Sequence, residues 1–566
     1  MRMKRTVATP ALVALIGVMS GGWLMQQGVD PQKNVYFQAR LLEEVVRHVS
    51  TRFVDETDPD RLYRMAIDGM LHELGDPHTS FMTPEDYERL RLQTQGEYGG
   101  LGIEIDVRNG WLTVLSPLPN SPAERAGLQA GDRIIQVEGE STRGWSTDKA
   151  VSVLRGPKGT PVRIEVARGG IDTPIPFEIT RADIEITAVP AAYMLDDEVG
   201  YVELSVFSET ATDSLRAAID RLQHQGMKSL VLDMRRNTGG LLDQGLNVAD
   251  LFLDRRQLVL ETRGRTPDQN HVLRARTGDA YPDLELAILI GLRSASASEI
   301  VAGALQDHDR AVLIGETTFG KGSVQTLYQL PGNNMLRLTT ARWYTPSGRS
   351  IQKPYGIDAH GAAAVADAGE TEPREPAGAA LDVEQKLEEG VATYRTSKGR
   401  MVLGGGGITP DLVVMDTLTS AEQRLVQAIG EDWSRFEQLL YAEAVEYAQQ
   451  NSNLQPGFPV TEAMLDRFHA SLEREGIAID REVYDDAYDF VSRRLVYEIS
   501  VAKFGREEGW RRLMENDPRV RSAAELLRTS SSVAEAFALL PAYAEERGLT
   551  LGSNWQAQRE SRVRHP

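Results

Sequence analysis

The chain has 566 residues, of which 62 are Lys or Arg and 82 are Asp or Glu, giving a formal net charge of −20. Such a field repels phosphate backbones, so nucleic acid is set aside as a partner. The absence of cysteine excludes disulfides, thiolate nucleophiles, Cys-ligated zinc and a lipobox-type lipid anchor, and the length calls for more than one hydrophobic core.

Lys4 and Arg5 precede a charge-free stretch, 6–29, that includes Val7, Leu12, Leu15, Ile16, Val18 and Leu24. A charged start followed by an apolar run reads as an export signal. No small-x-small cleavage site is clear near Gly28, so residues 1–30 are expected to stay as a signal anchor, a membrane segment with Lys4 and Arg5 inside. The rest would then lie in the cell envelope or periplasm, tethered to the inner membrane by bacterial-type export. The alternative is a buried N-terminal helix of a cytosolic protein.

Residues 31–95 read as a helical region, with Leu41, Leu42, Val45, Val46, Val49 and Phe53 at the spacing of one face and a second helix over 60–74. From 96 to 182 the texture turns to short strands at 101–107, 111–115, 133–137, 162–167 and 175–179, with one helix over 147–154. Between 183 and 414 strands and helices alternate: strands at 199–204, 229–234, 286–291 and 311–315, helices at 212–223, 242–253 and 298–306. Alternation of this kind predicts a layered α/β domain with a largely parallel sheet. A stretch rich in Ala, Gly, Pro and Glu at about 359–384 reads as a mobile insertion. Residues 415–566 read as a helical C-terminal domain, begun by the Ser420-x-x-Gln423 signal. The fold class is thus multidomain α/β.

Three segments carry chemistry: Asp233-Met-Arg-Arg-Asn-Thr-Gly-Gly240, Ser294-Ala-Ser-Ala-Ser-Glu299 and Gly315-Glu-Thr-Thr-Phe-Gly-Lys-Gly-Ser-Val-Gln325. Each follows the C-terminal end of a predicted strand, where open α/β sheets place their crevices, so the three are expected to converge. Taken singly they are commonplace. Ser296-Ala-Ser-Glu299 also satisfies a capping box, Gly320-Lys321-Gly322 a surface turn, and Gly239-Gly240 a loop.

Together these segments resemble the carboxyl-terminal processing peptidases, or tail-specific proteases, over most of residues 35–415. Lys321 follows Ser296 by 25 residues and Gln325 follows Lys321 by four, the spacings of that family. The resemblance implies a crotonase-like protease core, with Ser296 as nucleophile, Lys321 as general base and Gln325 orienting the lysine amine. It also implies oxyanion donors from the N–H of Ala297 and of the Gly239-Gly240 turn, Gly240 being preferred, with Asp233 and Arg235 bracing that turn. A serine hydroxyl needs an adjacent base, and lysine serves only when its pKa falls from ~10.4 to roughly 7–8. Phe319, Val324 and the positive end of the helix starting near Ser298 are the candidate depressors. Gln325, being neutral, can accept an amine hydrogen bond without favouring the ammonium. Met234, Thr238 and Arg293 stand where that family often has Leu, Pro and Gly.

Gly99-Gly-Leu-Gly-Ile-Glu-Ile105, Ser121-Pro-Ala-Glu-Arg-Ala-Gly-Leu128 and Gly131-Asp-Arg-Ile-Ile135 resemble a PDZ domain. Such domains add a peptide to a sheet edge and hold its terminal carboxylate on backbone N–H groups. Leu101, Gly102 and Ile103 match that carboxylate loop, and Ile105, Ala150, Val151 and Leu154 would line the pocket for the last side chain. Apolar or small free C-termini are therefore expected to bind best. Arg125, Arg155 and Arg168 are either couplers to the catalytic domain or solvated charges.

The leading expectation is an ATP-independent serine endopeptidase acting on C-terminal tails of exported proteins, with no cofactor and no metal. An adaptor protein and a homo-oligomer are further partners it would accommodate. Two readings compete: a noncatalytic PDZ adaptor, and a trypsin-like PDZ protease, which would need a His and an Asp that His224, His271, His308 and His360 do not supply. His72 and His78 flank a Gly-Asp-Pro turn without further metal ligands at suitable spacing, and no P-loop is present.

Overall fold

The computed structural model describes residues 35–353 and 392–552, apart from 96, 109, 119, 130, 169, 170, 172, 186, 416 and 417. The expected anchor at 1–30 and the expected insertion at about 359–384 lie outside the described residues. Among the described residues no helix is long and apolar enough to cross a membrane.

The chain divides into two compact units. In the smaller, α1 (Val35–Arg52) and α2 (Pro59–His72) precede β1 (Ser80–Met82), which pairs antiparallel with residues 335–337. Asp58 caps α2, its carboxylate accepting from the Asp60 N–H, and Pro59 occupies the first turn, where no backbone donor is lost. The apolar stripe expected on the first helix is there, but only Val46 of it is buried; Leu41, Leu42, Val45 and Phe53 are exposed. Periodicity fixes which residues share a face, and burial needs a partner; among the described residues of this unit the only other α-helix is the short α2.

The larger unit opens with α3 (Pro84–Gln95) and β2 (Glu97–Gly100), the latter paired with residues 182–185. A β-rich module follows, with β3 (Ile103–Arg108), β4 (Trp111–Pro117), α4 (Pro122–Ala126), β5 (Arg133–Val137), β6 (Glu140–Ser141), α5 (Thr147–Leu154), β7 (Pro161–Ala167) and β8 (Ile175–Thr180). Its sheet order is β3-β4-β5-β7-β8, which leaves β3 at an edge. Leu112, Val114, Ile134, Ala150, Val162 and Ile164 form its core.

After β9 (Ala182–Glu185) comes the α/β series: β10 (Ala191–Met194), β11 (Val199–Glu203), α6 (Ala211–His224), β12 (Ser229–Asp233), α7 (Leu242–Asp250), β13 (Leu258–Gly264), β14 (His271–Arg274), β15 (Glu285–Ile290), α8 (Ala297–Asp307) and β16 (Val312–Gly315). Then follow β17 (Ser323–Gln329), β18 (Met335–Tyr344), β19 (Thr393–Arg395), β20 (Met401–Leu403) and β21 (Leu412–Val413). The main sheet runs β11-β12-β15-β16-β21 in parallel. Its strands are buried on both faces, as parallel strands must be. Leu230, Leu232, Leu286 and Ile288 point to one core with α6, α7 and α8, whereas Val231, Ala287 and Leu289 point to another.

That second core is closed by the C-terminal stretch. Helices α9 (Ser420–Ile429), α10 (Trp433–Gln450), α11 (Glu462–Arg474), α12 (Arg481–Asp486) and α13 (Tyr488–Phe504) surround a core of their own around Phe436, Phe468 and Tyr484. Past Gly505, α14 (Arg506–Met514), α15 (Pro518–Thr529) and α16 (Val533–Arg547) lie on the main sheet, and β22 (Thr550–Leu551) pairs antiparallel with β21. Packing therefore crosses the boundary expected near 415: the last helices are the outer layer of the α/β core.

Candidate active site

The C-terminal ends of β12, β15 and β16 lie side by side in the sheet, and the loops that leave them hold the three expected segments. Ser296 sits between β15 and α8, half-buried, with φ 56° and ψ −112°. A non-glycine residue in that region costs on the order of 1–3 kcal/mol and persists only where its surroundings hold it.

What holds it is Glu299. This carboxylate is fully buried and accepts four hydrogen bonds: Oε2 from the N–H of Ser296 (2.8 Å) and of Lys321 (2.9 Å), Oε1 from the Thr318 hydroxyl (2.5 Å) and the Gly320 N–H (2.7 Å). One oxygen thus takes the backbone amides of both residues expected to act, and the two nitrogens are no further apart than those two bonds laid end to end. Burial pushes the Glu299 carboxyl up, against the four donors. The capping-box pattern made Glu299 legible as a cap on its own helix; its reach to 318–321 is a tertiary fact that no local spacing announces.

Lys321 is half-buried, two residues before β17. Gln325 lies in β17 and donates its side-chain N–H to Ser323 Oγ at 2.8 Å and to Thr339 Oγ1 at 3.4 Å, so its carbonyl oxygen is the end an amine can use. Of the expected depressors, Val324 packs against the first core, whereas the Phe319 side chain is 47% exposed and supplies little desolvation.

Gly239 meets Ser296 directly. A Cβ there would fall 2.8 Å from the Ala295 carbonyl oxygen and 2.9 Å from Ser296 Cβ, and its φ is 101°. Only glycine fits so close a backbone approach at positive φ. Its N–H is already given to Asn237 Oδ1 at 2.9 Å. Among the described residues no protein acceptor takes the N–H of the exposed Gly240 or of Ala297, the first residue of α8. Asn237 pins the turn further: its Nδ2 donates to the Leu204 carbonyl and its own carbonyl accepts from Ser298 Oγ and the Ala295 N–H.

Asp233 and Arg235 form a buried ion pair beneath this turn, with Nε 2.9 Å from Oδ1 and Nη2 2.5 Å from Oδ2. Burial alone would push Asp233 up, but the Arg235 guanidinium overcomes it and holds the carboxyl below its usual range. Three further residues, unreadable from the sequence, complete the group. Asp517 accepts from Arg235 Nη1 at 2.6 Å, and Trp510 donates to Tyr201 Oη, which donates to Asp233.

In the β-rich module Leu101, Ala150 and Leu154 are buried, and Ile103, Ile105 and Val151 are half-buried. The carbonyls of Leu101 and Gly102 accept from the N–H of Ala123 and Leu118, both at 2.9 Å, which ties the loop down by its carbonyl side. Gly102 has φ 71°, and a Cβ would lie 2.4 Å from Ser121 Cβ. The three arginines are engaged within the module: Arg168 with Asp132, Arg125 with the Asn120 carbonyl, Arg155 over the Tyr98 ring. A cavity of about 1210 Å³ borders Ile103 and Glu104 of the β3 edge and is lined by neither Ser296 nor Lys321.

The profile of peptidase family S41 matches residues 198–361, and that of a PDZ domain matches 113–168. A carboxy-terminal-processing protease of Bartonella bacilliformis is 44% identical over 327 residues, 57% of this chain and 74% of that protein. A carboxyl-terminal-processing protease of Synechocystis is 39% identical over 295 residues, 51% of this chain and 68% of that protein. Among solved structures, a photosystem II D1 C-terminal processing protease is similar at 30% identity over 55% of this chain and 89% of its own, with a TM-score of 0.33. With two thirds and more of these relatives spanned at such identity, the chain belongs to peptidase family S41, as a PDZ-containing serine peptidase of the carboxyl-terminal processing kind.

Proposed function

We propose that this chain is an ATP-independent endopeptidase that captures the apolar C-terminal tails of exported proteins on its PDZ module and cleaves them through an acyl-enzyme on Ser296. Lys321, as the neutral amine, takes the Ser296 proton, and Gln325 steers that amine. The Gly240 and Ala297 N–H groups receive the oxyanion, since the Gly239 N–H is committed to Asn237. The observation that carries this reading is the single Glu299 oxygen bonded to the amides of both Ser296 and Lys321. For tail capture, β3 is a free sheet edge beside α5, and the Leu101–Ile103 loop is anchored by its carbonyls.

The charged start and apolar run at 4–29 support a location in the envelope with an N-terminal membrane anchor, and the exposed apolar stripe of α1 supports a homo-oligomer. A partner adaptor is compatible with the same surface. The test is cleavage of an unfolded protein with an apolar tail by the full chain. Ser296→Ala and Lys321→Ala should each lower kcat by at least a thousandfold while leaving the melting temperature in place, and amidating the substrate's C-terminus should slow wild-type cleavage. Retained turnover in either variant rules out the proposed pair; an unchanged rate on amidation rules out carboxylate reading.

A further inference from the structure

We propose that Asp517, on the outer helical layer and far outside the matched family segment, is a positioning residue of this peptidase, acting through Arg235 and Asp233 on the turn that faces Ser296. The proposal rests on the serine peptidase reading above.

The Arg235 guanidinium is shared between two carboxylates. Nε and Nη2 face Asp233 (2.9 and 2.5 Å), while Nη1 faces Asp517 Oδ2 at 2.6 Å and Nη2 also reaches Met514 Sδ at 3.1 Å. All three charged groups are nearly inaccessible, with side-chain exposures of 9%, 4% and 6%. A buried guanidinium takes the place its carboxylates dictate, because leaving a charge unpaired there is costly.

Asp517 is itself rigidly placed. Its Oδ1 caps α15, accepting from the N–H of Arg519 (2.8 Å) and Val520 (3.2 Å), so helix geometry sets where Oδ2 points. A second arm comes from the same layer: Trp510 Nε1 donates to Tyr201 Oη at 3.0 Å, and that hydroxyl donates to Asp233 Oδ2 at 2.8 Å. Asp233 is thus oriented from two sides by residues of 510–517.

From Asp233 the path to the chemistry is short. Asp233 Oδ1 accepts the backbone N–H of Arg235 at 3.0 Å, which starts the turn. Two residues on, Asn237 fixes Gly239, and Gly239 lies against Ser296. A helix cap alone needs one acceptor oxygen and is served as well by Asn as by Asp. The second oxygen accepts from Arg519 Nη2 of the same helix at 3.0 Å and, more closely, from the buried Arg235 at 2.6 Å; the latter bond is what a purely structural cap does not require.

The experiment uses the full-length enzyme and one peptide substrate. Asp517→Asn keeps the cap and removes the charge; it should lower kcat at least tenfold with KM within twofold, and Asp517→Glu should recover part of the loss. Trp510→Phe, which removes the bond to Tyr201 along with part of the ring that packs in the core beneath Arg236, should lower kcat by a smaller factor. The double variant should lose less than the product of the two, since both arms end on Asp233. Labelling of Ser296 by a fluorophosphonate should slow in parallel. Retention of kcat within twofold in Asp517→Asn overturns the proposal. So does a loss that follows the melting temperature while Trp510→Phe keeps full kcat. Absence of Ser296-dependent turnover in the wild type would instead sink the peptidase reading itself.

Discussion

Glu299 is the residue on which the site's geometry turns. Four donors converge on it, and a carboxamide cannot accept all four: its NH2 end would face N–H groups. Glu299→Gln should therefore lower stability by about 2–4 kcal/mol and cut turnover by more than a hundredfold; denaturant unfolding and peptide cleavage read the two effects, and unchanged values for both would mean the cluster is incidental. Gly239→Ala makes the complementary case, because its Cβ would strike the Ala295 carbonyl oxygen and Ser296 Cβ. Activity should fall by two orders of magnitude or more, with a melting shift of only a few degrees. Glu203, at the end of β11, is buried beside Asp233, and burial followed by the Asp233 charge pushes it up to about 7, against Arg506, Arg236 and Arg235. Its folded state thus prefers the proton: the contribution is whole below the unfolded pKa and lost as pH rises through 7. Glu203→Gln should exceed the wild type in stability at pH 8 by up to roughly 3 kcal/mol, with the gap narrowing towards pH 5; an equal gap at both pH values would show that this group does not titrate as stated.

At the scale of elements, local signals carried a long way where the element's own residues decide its burial. The helix at 147–154 and the strand at 133–137 match their expected bounds, and the main-sheet strands follow because each is apolar on both faces. β17 and β18 were not legible: Ser323–Gln329 and Met335–Tyr344 are mostly half-buried or exposed and carry no clean alternation. Nor was the role of α14 to α16, whose amphipathic pattern says that a face is buried but not against what. That the three segments share one end of the sheet was legible, because each follows a strand readable on its own. Asp517 was not, since 282 residues separate it from Arg235. Cutting the chain before Arg506 would bare the sheet face formed by Val199, Tyr201, Val231, Ala287 and Leu289. Exposed apolar area of that kind drives association, so the truncated chain should be recovered as aggregate, whereas the full chain should elute as a defined species. Size-exclusion chromatography of the two separates these outcomes, and a monodisperse 1–505 chain would mean the sheet does not need that layer.

Across the larger unit as a whole, the helical stretch 420–552 touches both functional parts. On one side Tyr441 Oη donates to the Val114 carbonyl at 3.0 Å beneath the Arg108 guanidinium, and Arg506 pairs with Glu104 on the free edge strand β3. On the other, eleven residues further along, Asp517 meets Arg235. One short helix, α14, therefore runs from the β3 edge towards the turn that faces Ser296. The shared Glu299 oxygen has a consequence for this arrangement. With both amides fastened to one Glu299 side-chain oxygen, the spacing of the backbone at 296 and 321 is held for as long as those two bonds are intact. For the proposed Ser296–Lys321 pair, resting and acylated forms are then expected to superimpose over 296–299 and 318–321 and to differ in the torsion angles of the lysine stem.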